Sequence, residues 1–426
     1  MEPPRAQNLS VPVRPARFAA LRIPDYRRYF AVNLLSMTAD NIEHVVSYWV
    51  MFQQFHSPAL AGFAVISHWV PFLLFSFHTG ALADRYDCRK LIQISQVLYV
   101  VASASWGLLF LFDALQMWHA VVILLIHGAA GVIAAPAIQL IIHDIVPREH
   151  LPSAIRLNAS SRYLSILLGP AIGGGLMLLV GPAWGLLANA LIYLPFTFFL
   201  LRVPYTGHAS AGGPRREPLR FADVATAYAA ARSERRIMTM IVLAGASSFF
   251  VGNAFQAQMP EYARFFGADE TGAWYSVLLA ANAVGAILGV LLLETGNLLR
   301  PSAPTAIVCA GLWGVAMGLF PMAQSYEAAV ALLLLAGVFS IIFTSMAQTL
   351  VQILAPASVR GTIVGLFNTA MLGLRAGSGI TVGVLGTYIG VRLSLELSSL
   401  MVVLVAIALF VWDARTRRRD TGILAR

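Results

Sequence analysis

Charged residues are scarce in this sequence. Only 12% of the 426 residues are Asp, Glu, Lys or Arg, about half the share that soluble chains carry. Cysteine is rarer still: Cys88 and Cys309 are its only two copies and stand far apart, which excludes a disulfide scaffold. Since 58% of the residues are hydrophobic, a soluble enzyme of this length could not bury them all.

The hydrophobic residues gather in twelve runs, each long enough to cross a bilayer as a helix. We number them spans 1 to 12, at residues 29–52, 58–80, 91–112, 118–143, 154–180, 183–203, 237–260, 271–294, 305–324, 327–354, 362–388 and 393–412. The runs are too long for barrel strands, and the 24 Phe and 8 Trp residues exclude disorder. The predicted fold class is an all-α polytopic membrane protein with 12 transmembrane helices.

Basic residues predict the orientation of these spans. Six precede span 1, whereas only Arg264 and Arg392 fall in the loops of the opposite side. This bias predicts an integral protein of the bacterial cytoplasmic (inner) membrane with both termini in the cytoplasm. Residues 1–28 lack the apolar stretch of a signal peptide, so we expect span 1 to be retained. The net charge of +9 then reflects topology and contact with anionic lipids, and predicts no nucleic-acid partner.

The chain divides into two similar halves. Residues 204–236 are rich in Gly, Pro and Arg, and they separate the first six spans from the last six. An offset of 210 residues aligns Asp84 with Glu294, Lys90 with Arg300, Asn158 with Asn368, Gly169 with Gly379, and Gly173 with Gly383. We therefore predict an N-terminal tail 1–28, six-helix bundles at 29–203 and 237–412, a cytoplasmic linker 204–236, and a tail 413–426. Parallel repeats of this kind place a substrate site between the halves, near the midplane.

Four short segments carry a resemblance to a known family. Residues 80–90 read GALADRYDCRK, residues 169–174 read GPAIGG, and residues 146–149 and 356–361 precede spans 5 and 11. They resemble motifs of the major facilitator superfamily, in the branch that holds enterobactin exporters and macrolide efflux proteins. The resemblance implies two six-helix bundles, spans 1, 4, 7 and 10 around the cavity, spans 3, 6, 9 and 12 outermost, and a monomer that carries a small molecule, with protons as the coupling ion.

The first motif predicts a gate between spans 2 and 11. A carboxylate at Asp84 can face the amino-terminal end of span 11 near Gly361, where free N–H groups favour an anion. Gly80 would let the helices approach closely. The alternative is an ordinary positive loop. The predicted gating residues are Gly80, Asp84, Arg85, Arg89, Lys90 and Gly361.

The second motif lies within span 5. Pro170 removes a backbone hydrogen bond, and Gly169, Gly173 and Gly174 permit tight packing, so we expect a break in the helix here. The resemblance links this motif to export, whereas plain helix packing is the alternative.

Two acidic residues lie deep in span 1. Asp40 and Glu43 are three residues apart on one helix face, with His44 beside them. A charge at this depth is costly and normally faces a cavity or a partner. We predict that Asp40 carries the coupling proton, with Glu43 as its neighbour. The alternative is a permanent ion pair with Arg162 or Arg375, the deepest cations of spans 5 and 11.

Several polar residues at membrane depth are weaker candidates for the cavity. Amides there can bind substrate, although hydrogen bonding between helices is the commoner role. The amides included in the predicted site are Asn33, Asn253, Gln256, Gln348 and Asn368. His68 and His127 could titrate, but each alone fits a packed polar residue equally well.

These observations predict a proton-coupled exporter of an amphiphilic organic compound of the drug, macrolide or siderophore type. An uptake symporter or a lysophospholipid flippase on the same fold is an alternative, and a transport-inactive receptor or scaffold is another. No nucleotide loop, metal-ligand spacing or nucleophile motif appears, so the sequence predicts no enzyme, no cofactor and no metal site.

Overall fold

The computed structural model describes residues 18–208, 221–267, 272–296, 302–356 and 359–424. Within these ranges the chain is helical apart from short turns, and it contains no strand. Of the predicted segments, residues 1–17 of the tail and 209–220 of the linker lie outside the described residues.

The helices follow the predicted spans. Spans 1 to 4 are Pro24–Phe55, Pro58–Arg85, Cys88–Leu111 and Met117–Ile145; spans 5 and 6 share Leu151–Ile192 and continue in Leu194–Arg202. Span 7 is Arg235–Phe250 with the short helices Ala254–Ala257 and Met259–Phe265; spans 8 to 10 are Ala273–Gly296, Ala303–Leu319 and Tyr326–Leu354; span 12 is Val391–Leu424. A linker helix, Phe221–Ser233, precedes span 7.

Ten helices of the described chain are long and apolar enough to cross a membrane. That count treats spans 5 and 6 as one helix and omits span 1, which has 32 residues but is more polar. Spans 5 and 6 separate at Gly181, whose backbone (φ 82°, ψ 164°) is not helical. The number of helices is therefore consistent with twelve crossings.

Span 11 is irregular. It begins as Arg360–Asn368, passes through a π-helical turn at Thr369–Gly373 and the helical turn Arg375–Ser378, and then through a second π-helical turn at Gly379–Val384 before Leu385–Ile389. Such turns are rare and often occur at functional sites. They lie on either side of Arg375.

The two ends of the molecule differ. We call the end that holds residues 86–87 and 203–208 the tail end, and the opposite end the far end. In the first half, the far-end turns are short: His56–Ser57 between spans 1 and 2, residues 112–116 between spans 3 and 4, and Gly181 between spans 5 and 6. The tail end is tied together by hydrogen bonds, of which Tyr205 Oη–H to Asp25 (2.6 Å) and the Gly207 N–H to Asp144 (2.6 Å) are examples.

The halves meet at the far end. Tyr275 of span 8 donates to the carbonyl oxygen of Val45 (2.9 Å) and stacks on Trp49, and Gln258 donates to the carbonyl oxygen of Pro58 (3.0 Å). A continuous apolar core there contains residues of both halves. Towards the tail end the first half has its own core around Tyr26 and Ile141, and the second half another around Ile237 and Phe367. Among the described residues, the molecule is therefore closed at the far end, and the cores of its halves are separate towards the tail end.

Span 12 lies at the periphery. It packs against spans 7, 9 and 11, and Leu397, Leu404 and Ile407 remain exposed on its other face. This is the position that the family resemblance implies for span 12.

Candidate functional site

Five ionisable side chains from three spans meet inside the first half. Asp40, Glu43 and His44 come from span 1, His68 from span 2 and His127 from span 4. Each of the three histidines lies about ten residues from the far end of its helix, which is about 15 Å along the axis. The five side chains, which we call the acid–histidine cluster, therefore share one depth near the middle of a bilayer.

His127 lies between the two carboxylates. Its Nδ1 donates to Glu43 Oε1 at 2.8 Å, and its Nε2 lies 2.9 Å from Asp40 Oδ1 without the alignment of a hydrogen bond. His127 and Glu43 are buried, whereas the Asp40 side chain is 27% exposed. Asp40 thus forms the accessible edge of the cluster, and Glu43 its interior.

This arrangement is suited to holding one proton. A neutral imidazole carries a single N–H, yet both ring nitrogens of His127 face carboxylate oxygens. Hydrogen bonds from His127 to both carboxylates therefore require one proton in addition to the N–H of the neutral imidazole. This extra proton lies on the ring or on a carboxyl group. The proton can pass between these groups over short distances, so the cluster can load and release it as a unit.

Two tyrosines enclose the interior of the cluster. Tyr193 of span 6 donates to Glu43 Oε2 at 3.4 Å, and its ring stacks on that of Tyr99 at 5.0 Å. The Tyr99 ring in turn contacts the edge of His127. Neither tyrosine was predicted as a site residue, because an isolated tyrosine in an apolar run looks like any packed aromatic.

His44 and His68 form the other side of the cluster. His44 Nδ1 donates to the backbone oxygen of Asp40 at 2.7 Å, and its ring lies 4.9 Å from that of His68. His68 Nδ1 is buried and has no hydrogen-bond partner among the described residues. The two rings border a small cavity together with Glu43 and His127, with room for about one water molecule. Water there can connect the imidazoles.

The three imidazoles could also bind a metal ion, although the sequence predicts no metal spacing. One ligand atom from each of His44, His68 and His127 lies within 4.8 Å of the other two. Both nitrogens of His127 face carboxylates, however, and Nδ1 of His44 is occupied by a backbone oxygen. A metal ion would have to displace the contact between His127 and Asp40, so the geometry described here suits a proton better.

The two deep arginines lie outside the acid–histidine cluster. The guanidinium group of Arg375 lies over the Trp69 ring at 5.0 Å, and Trp69 Nε1–H donates to Asn253 Oδ1 at 3.2 Å. Arg162 is exposed on span 5. The group in contact with both carboxylates is therefore the imidazole of His127, whereas the alternative prediction placed an arginine there.

A comparison with known families decides what kind of protein carries this site. A family model described as transmembrane secretion effector, within the major facilitator superfamily, matches residues 15–421. The chain belongs to the transmembrane secretion effector family. The resemblance inferred from the motifs is thereby confirmed, and the family is one of transporters.

Relatives of this family member include two bacterial transporters. The chain is 23% identical to the staphyloferrin A transporter of Staphylococcus aureus over 41% of its own length and 46% of the relative's. It is 23% identical to macrolide efflux protein A of Enterococcus faecalis, over 32% and 43% of the two lengths. The matches thus span less than half of each relative.

Solved structures of major facilitator transporters share the fold. A bacterial homologue of the human lysosomal transporter Spinster, in an inward-facing and unoccupied conformation, superposes with a TM-score of 0.70 at 14% identity, over 94% of this chain and 98% of that one. The nucleoside transporter NupG (D323A mutant) gives 0.69 at 12% identity, over 91% and 99%. At these identities the likeness shows the fold alone.

The predicted amides of this secretion effector lie in different surroundings. Asn33 is buried and donates to Asn158 at 3.1 Å, which joins spans 1 and 5. Asn253 accepts from Trp69, as described above. Gln256 and Gln348 are half-buried, and Asn368 is exposed at the end of Arg360–Asn368. Of the five, Asn33 fits the structural role best.

The gating motif lies at the tail end. Arg89 donates to both carboxylate oxygens of Asp87 and to the Val203 carbonyl oxygen (2.6 Å). Partial burial by itself would raise the pKa of Asp87, but the hydrogen bonds from Arg89 hold it below its usual value. These contacts fasten the start of span 3 to the beginning of the linker.

The remaining gating residues are described only in part. Arg85 and Lys90 are exposed. Among the described residues, nothing lies within 4 Å of the position of a Cβ on Gly80. Asp84 and Gly361 lie outside the residues whose side-chain surroundings the structure describes.

The motif of span 5 packs without a break. The helix continues through Gly169 and Pro170, so the predicted break is wrong, and the chain departs from helical geometry at Gly181 instead. A proline within a helix removes one hydrogen bond, which neighbouring turns can tolerate. A Cβ on Gly169 would meet Asn41 of span 1, and a Cβ on Gly174 would meet Ser276 of span 8. The motif therefore joins span 5 to both neighbours.

Proposed function

We propose that this protein is a secondary-active exporter that couples the efflux of an amphiphilic organic compound to proton entry by alternating access. The observation that carries the proposal is the contact of His127 with both Asp40 and Glu43 at mid-membrane depth. A buried cluster of ionisable side chains is costly in a membrane. We attribute this cluster to proton transfer because the site contains no motif for covalent chemistry.

The exposure of Asp40 gives the proton a route. Asp40 is the more accessible carboxylate, and its contact with His127 lacks hydrogen-bond alignment. A proton that arrives from the cavity can therefore bind Asp40 first, and the hydrogen bond between Glu43 and His127 can remain intact. In this proposal Asp40 exchanges protons, and Glu43 and His127 stabilise the charge that remains.

The division between the halves supports alternating access. The far end is closed by Tyr275, Trp49 and Gln258, and the tail end has separate cores. The arginine bias of the sequence favours a tail end in the cytoplasm, next to a bacterial inner membrane. On that orientation the structure is the inward-facing state, in which a compound enters from the cytoplasm.

Macrolide efflux proteins among the relatives favour export. Other relatives are named only as transporters: a staphyloferrin A transporter and a probable peptide/nitrate transporter of Arabidopsis thaliana. Structural neighbours such as a D-xylose-proton symporter share only the fold, so an uptake symporter is the second candidate. We infer that the protein works as a monomer in contact with membrane lipids.

The test is transport by the full chain in proteoliposomes that contain pyranine. [14C]Erythromycin and staphyloferrin A are the probes, with and without an imposed pH gradient, for the wild type and Asp40→Asn. We expect proton flux that depends on the probe, and a loss of gradient-driven transport of at least about tenfold in Asp40→Asn. Asn41→Ala, which changes the adjacent polar residue, is the control.

Three results would contradict the proposal. Transport that is insensitive to the pH gradient would exclude proton coupling. Failure of the wild type to carry either probe would exclude these substrate classes. Transport that a chelator abolishes and zinc restores would mean that the three imidazoles bind a metal ion as the coupling ion.

A further inference from the structure

We propose that the three imidazoles of the acid–histidine cluster and the carboxylate of Asp40 form a binding site for a divalent transition-metal ion of the zinc class, and that the bound ion inhibits transport. The site itself follows from the geometry of these four side chains. Only the inhibition rests on the proposed function, because it takes Asp40 to be the residue that exchanges protons.

Two of the histidines are oriented as metal ligands are. His127 Nδ1 donates to the buried carboxylate of Glu43 at 2.8 Å, and His44 Nδ1 donates to the backbone oxygen of Asp40 at 2.7 Å. A histidine that binds a metal ion typically donates its other ring N–H to a carboxylate or a backbone carbonyl in this way. The lone pair of each neutral ring therefore lies on Nε2, where a metal ion can bind it.

Three buried polar atoms of the cluster have no hydrogen-bond partner among the described residues. They are Asp40 Oδ1, His68 Nδ1 and His127 Nε2. Oδ1 and Nε2 lie 2.9 Å apart, although in an ionised carboxylate and a neutral ring both atoms carry lone pairs, which repel each other. Buried polar atoms in folded proteins normally have a partner, and an ion is one kind of partner. A cation between these two atoms removes the repulsion.

The spacing of the rings is close to that of a metal site. The ring centroid of His44 lies 4.8 Å from that of His127 and 4.9 Å from that of His68. One ligand atom of each ring lies within 4.8 Å of the other two. Since zinc–nitrogen distances near 2.1 Å place the nitrogens of a tetrahedral site about 3.4 Å apart, the widest pair has to approach by about 1.4 Å. Side-chain rotation around the small cavity between the rings can supply this movement.

The charges of the cluster match those of a divalent ion. Three neutral imidazoles add no charge, whereas the carboxylates of Asp40 and Glu43 carry two negative charges between them. A Zn²⁺ ion therefore leaves the cluster without net charge, which is favourable at a depth where charge is costly. Imidazole and carboxylate ligands also suit zinc. Asp40, with its side chain 27% exposed, gives the ion a path into the site.

An ion bound here would inhibit transport. It lies between His127 Nε2 and Asp40 Oδ1, where the proposed function places the proton, so the two cations exclude each other. The site is therefore inhibitory, and transport itself does not require the ion.

The test of binding is a titration with CoCl₂ of the full chain, without a polyhistidine tag, in phosphatidylcholine nanodiscs. The visible absorption of Co²⁺ distinguishes tetrahedral from octahedral coordination, and Zn²⁺ is then added as the competitor. The variants are His44→Phe and His68→Phe, which each remove one ligand and leave the contacts of His127 with the carboxylates. The matched control is His143→Ala, at an exposed histidine in the last turn of the same span as His127.

We expect the wild type to bind one Co²⁺ per chain with tetrahedral absorption and to release it when Zn²⁺ is added. His44→Phe and His68→Phe should each weaken Zn²⁺ binding at least about tenfold, because a site with one ligand fewer holds the ion less tightly. His143→Ala should stay within about twofold of the wild type.

Two results would overturn the site. One is a wild type that shows only octahedral absorption, and the other is wild-type affinity for Zn²⁺ in His68→Phe. If His44→Phe fails to fold, as tryptophan fluorescence reports, His68→Phe and the spectrum of the wild type still decide.

Inhibition is measured in wild-type proteoliposomes, where Zn²⁺ should lower gradient-driven transport at least about threefold and a chelator should restore it. Transport that Zn²⁺ does not change, by protein that binds Co²⁺, would refute the inhibitory role. The binding assay uses no gradient. A wild type that binds the ion but shows no proton coupling would therefore refute the proposed function alone, and coupled transport without a tetrahedral site would refute this inference alone.

Discussion

Glu43 is the most deeply buried charged residue of the acid–histidine cluster, at 2% exposure, and it receives hydrogen bonds from His127 and Tyr193. Its carboxylate compensates the positive charge of a protonated imidazole on the buried side of the cluster. Removing the negative charge leaves a buried cation without its partner, which costs more than the loss of an ordinary hydrogen bond.

We therefore expect Glu43→Gln to reduce gradient-driven transport at least about tenfold, because loss of the negative charge of Glu43 weakens the binding of the proton to the cluster. Pyranine fluorescence in proteoliposomes measures this. Tyr193→Phe removes only the longer hydrogen bond to the same carboxylate (3.4 Å) and should retain most activity. Equal transport by Glu43→Gln and the wild type would exclude a coupling role for Glu43.

Tyr205 provides a second test at the level of one residue. The hydrogen bond that its hydroxyl donates to Asp25 raises the pKa of Tyr205 to about 12. Since this value is above the unfolded value of about 10, the stabilisation is complete below pH 10 and is lost as the pH rises towards 12.

Tyr205→Phe should lower the free energy of unfolding by about 1 kcal/mol at pH 7 to 9, and the difference from the wild type should shrink above pH 10. Thermal unfolding in detergent, followed by tryptophan fluorescence, measures both. Tyr388→Phe, at a residue that is 81% exposed, is the control. A difference that stays constant to pH 12 would assign the effect to packing instead.

The sequence located only part of the site at this scale. Asp40 and Glu43 stand out because a charge inside an apolar run is rare and costly. His127 follows Glu43 by 84 residues, and no local pattern connects them. Its role depends on how spans 1 and 4 pack, which periodicity does not reveal.

At the scale of the helices, spans 2 and 11 cross closely, and they belong to different halves. A Cβ on Gly62 would lie 2.5 Å from the backbone oxygen of Gly379 and 2.8 Å from the Cα of Gly383. These are backbone atoms, so no rotamer change can make room. The far end can stay closed only while this position is glycine.

Gly62→Ala should separate the two helices and shift the protein towards a state that is open at the far end. The readout is maleimide labelling of Ser276→Cys in a Cys88→Ser, Cys309→Ser background, which we expect to accelerate at least about threefold. Gly365→Ala on span 11, where nothing in the described part of the chain lies within 4 Å, should leave the rate unchanged. Unaltered labelling of Gly62→Ala would show that this crossing does not control closure.

Hydrophobic run length predicted the helices well, because the bilayer dictates both length and polarity. The predicted boundary between residues 180 and 183 coincides with the non-helical Gly181. The π-helical turns of span 11 were missed. The turns pack against span 2, and no composition signal marks their extra residue.

At the scale of the whole molecule, glycines that the internal repeat aligns do not pack against equivalent helices. Gly169 and Gly173 of span 5 pack on span 1 within their own half, whereas the aligned Gly379 and Gly383 of span 11 pack on span 2 of the other half. The offset of 210 residues identified the positions but not their neighbours. Those depend on which end of the molecule is closed.

Alternating access predicts that a bond across the far end stops transport. The Cβ of a residue at Gly174 would lie 2.7 Å from the Cβ of Ser276, so a shift of about 1 Å would allow a disulfide. The pair G174C and S276C, without the native cysteines, should lose transport on oxidation and recover it with reductant. Each single variant should transport under both conditions. Full activity of the oxidised pair would exclude opening at this end.

The short far-end turns of the first half limit the surface that an external protein can bind. His56–Ser57, residues 112–116 and Gly181 expose few residues beyond the helix ends. An antibody fragment raised against this face would have to rest across several helix ends at once. Its epitope would thus depend on the distance between spans, so selecting binders on the closed protein would yield conformation-specific reagents that hold the far end shut.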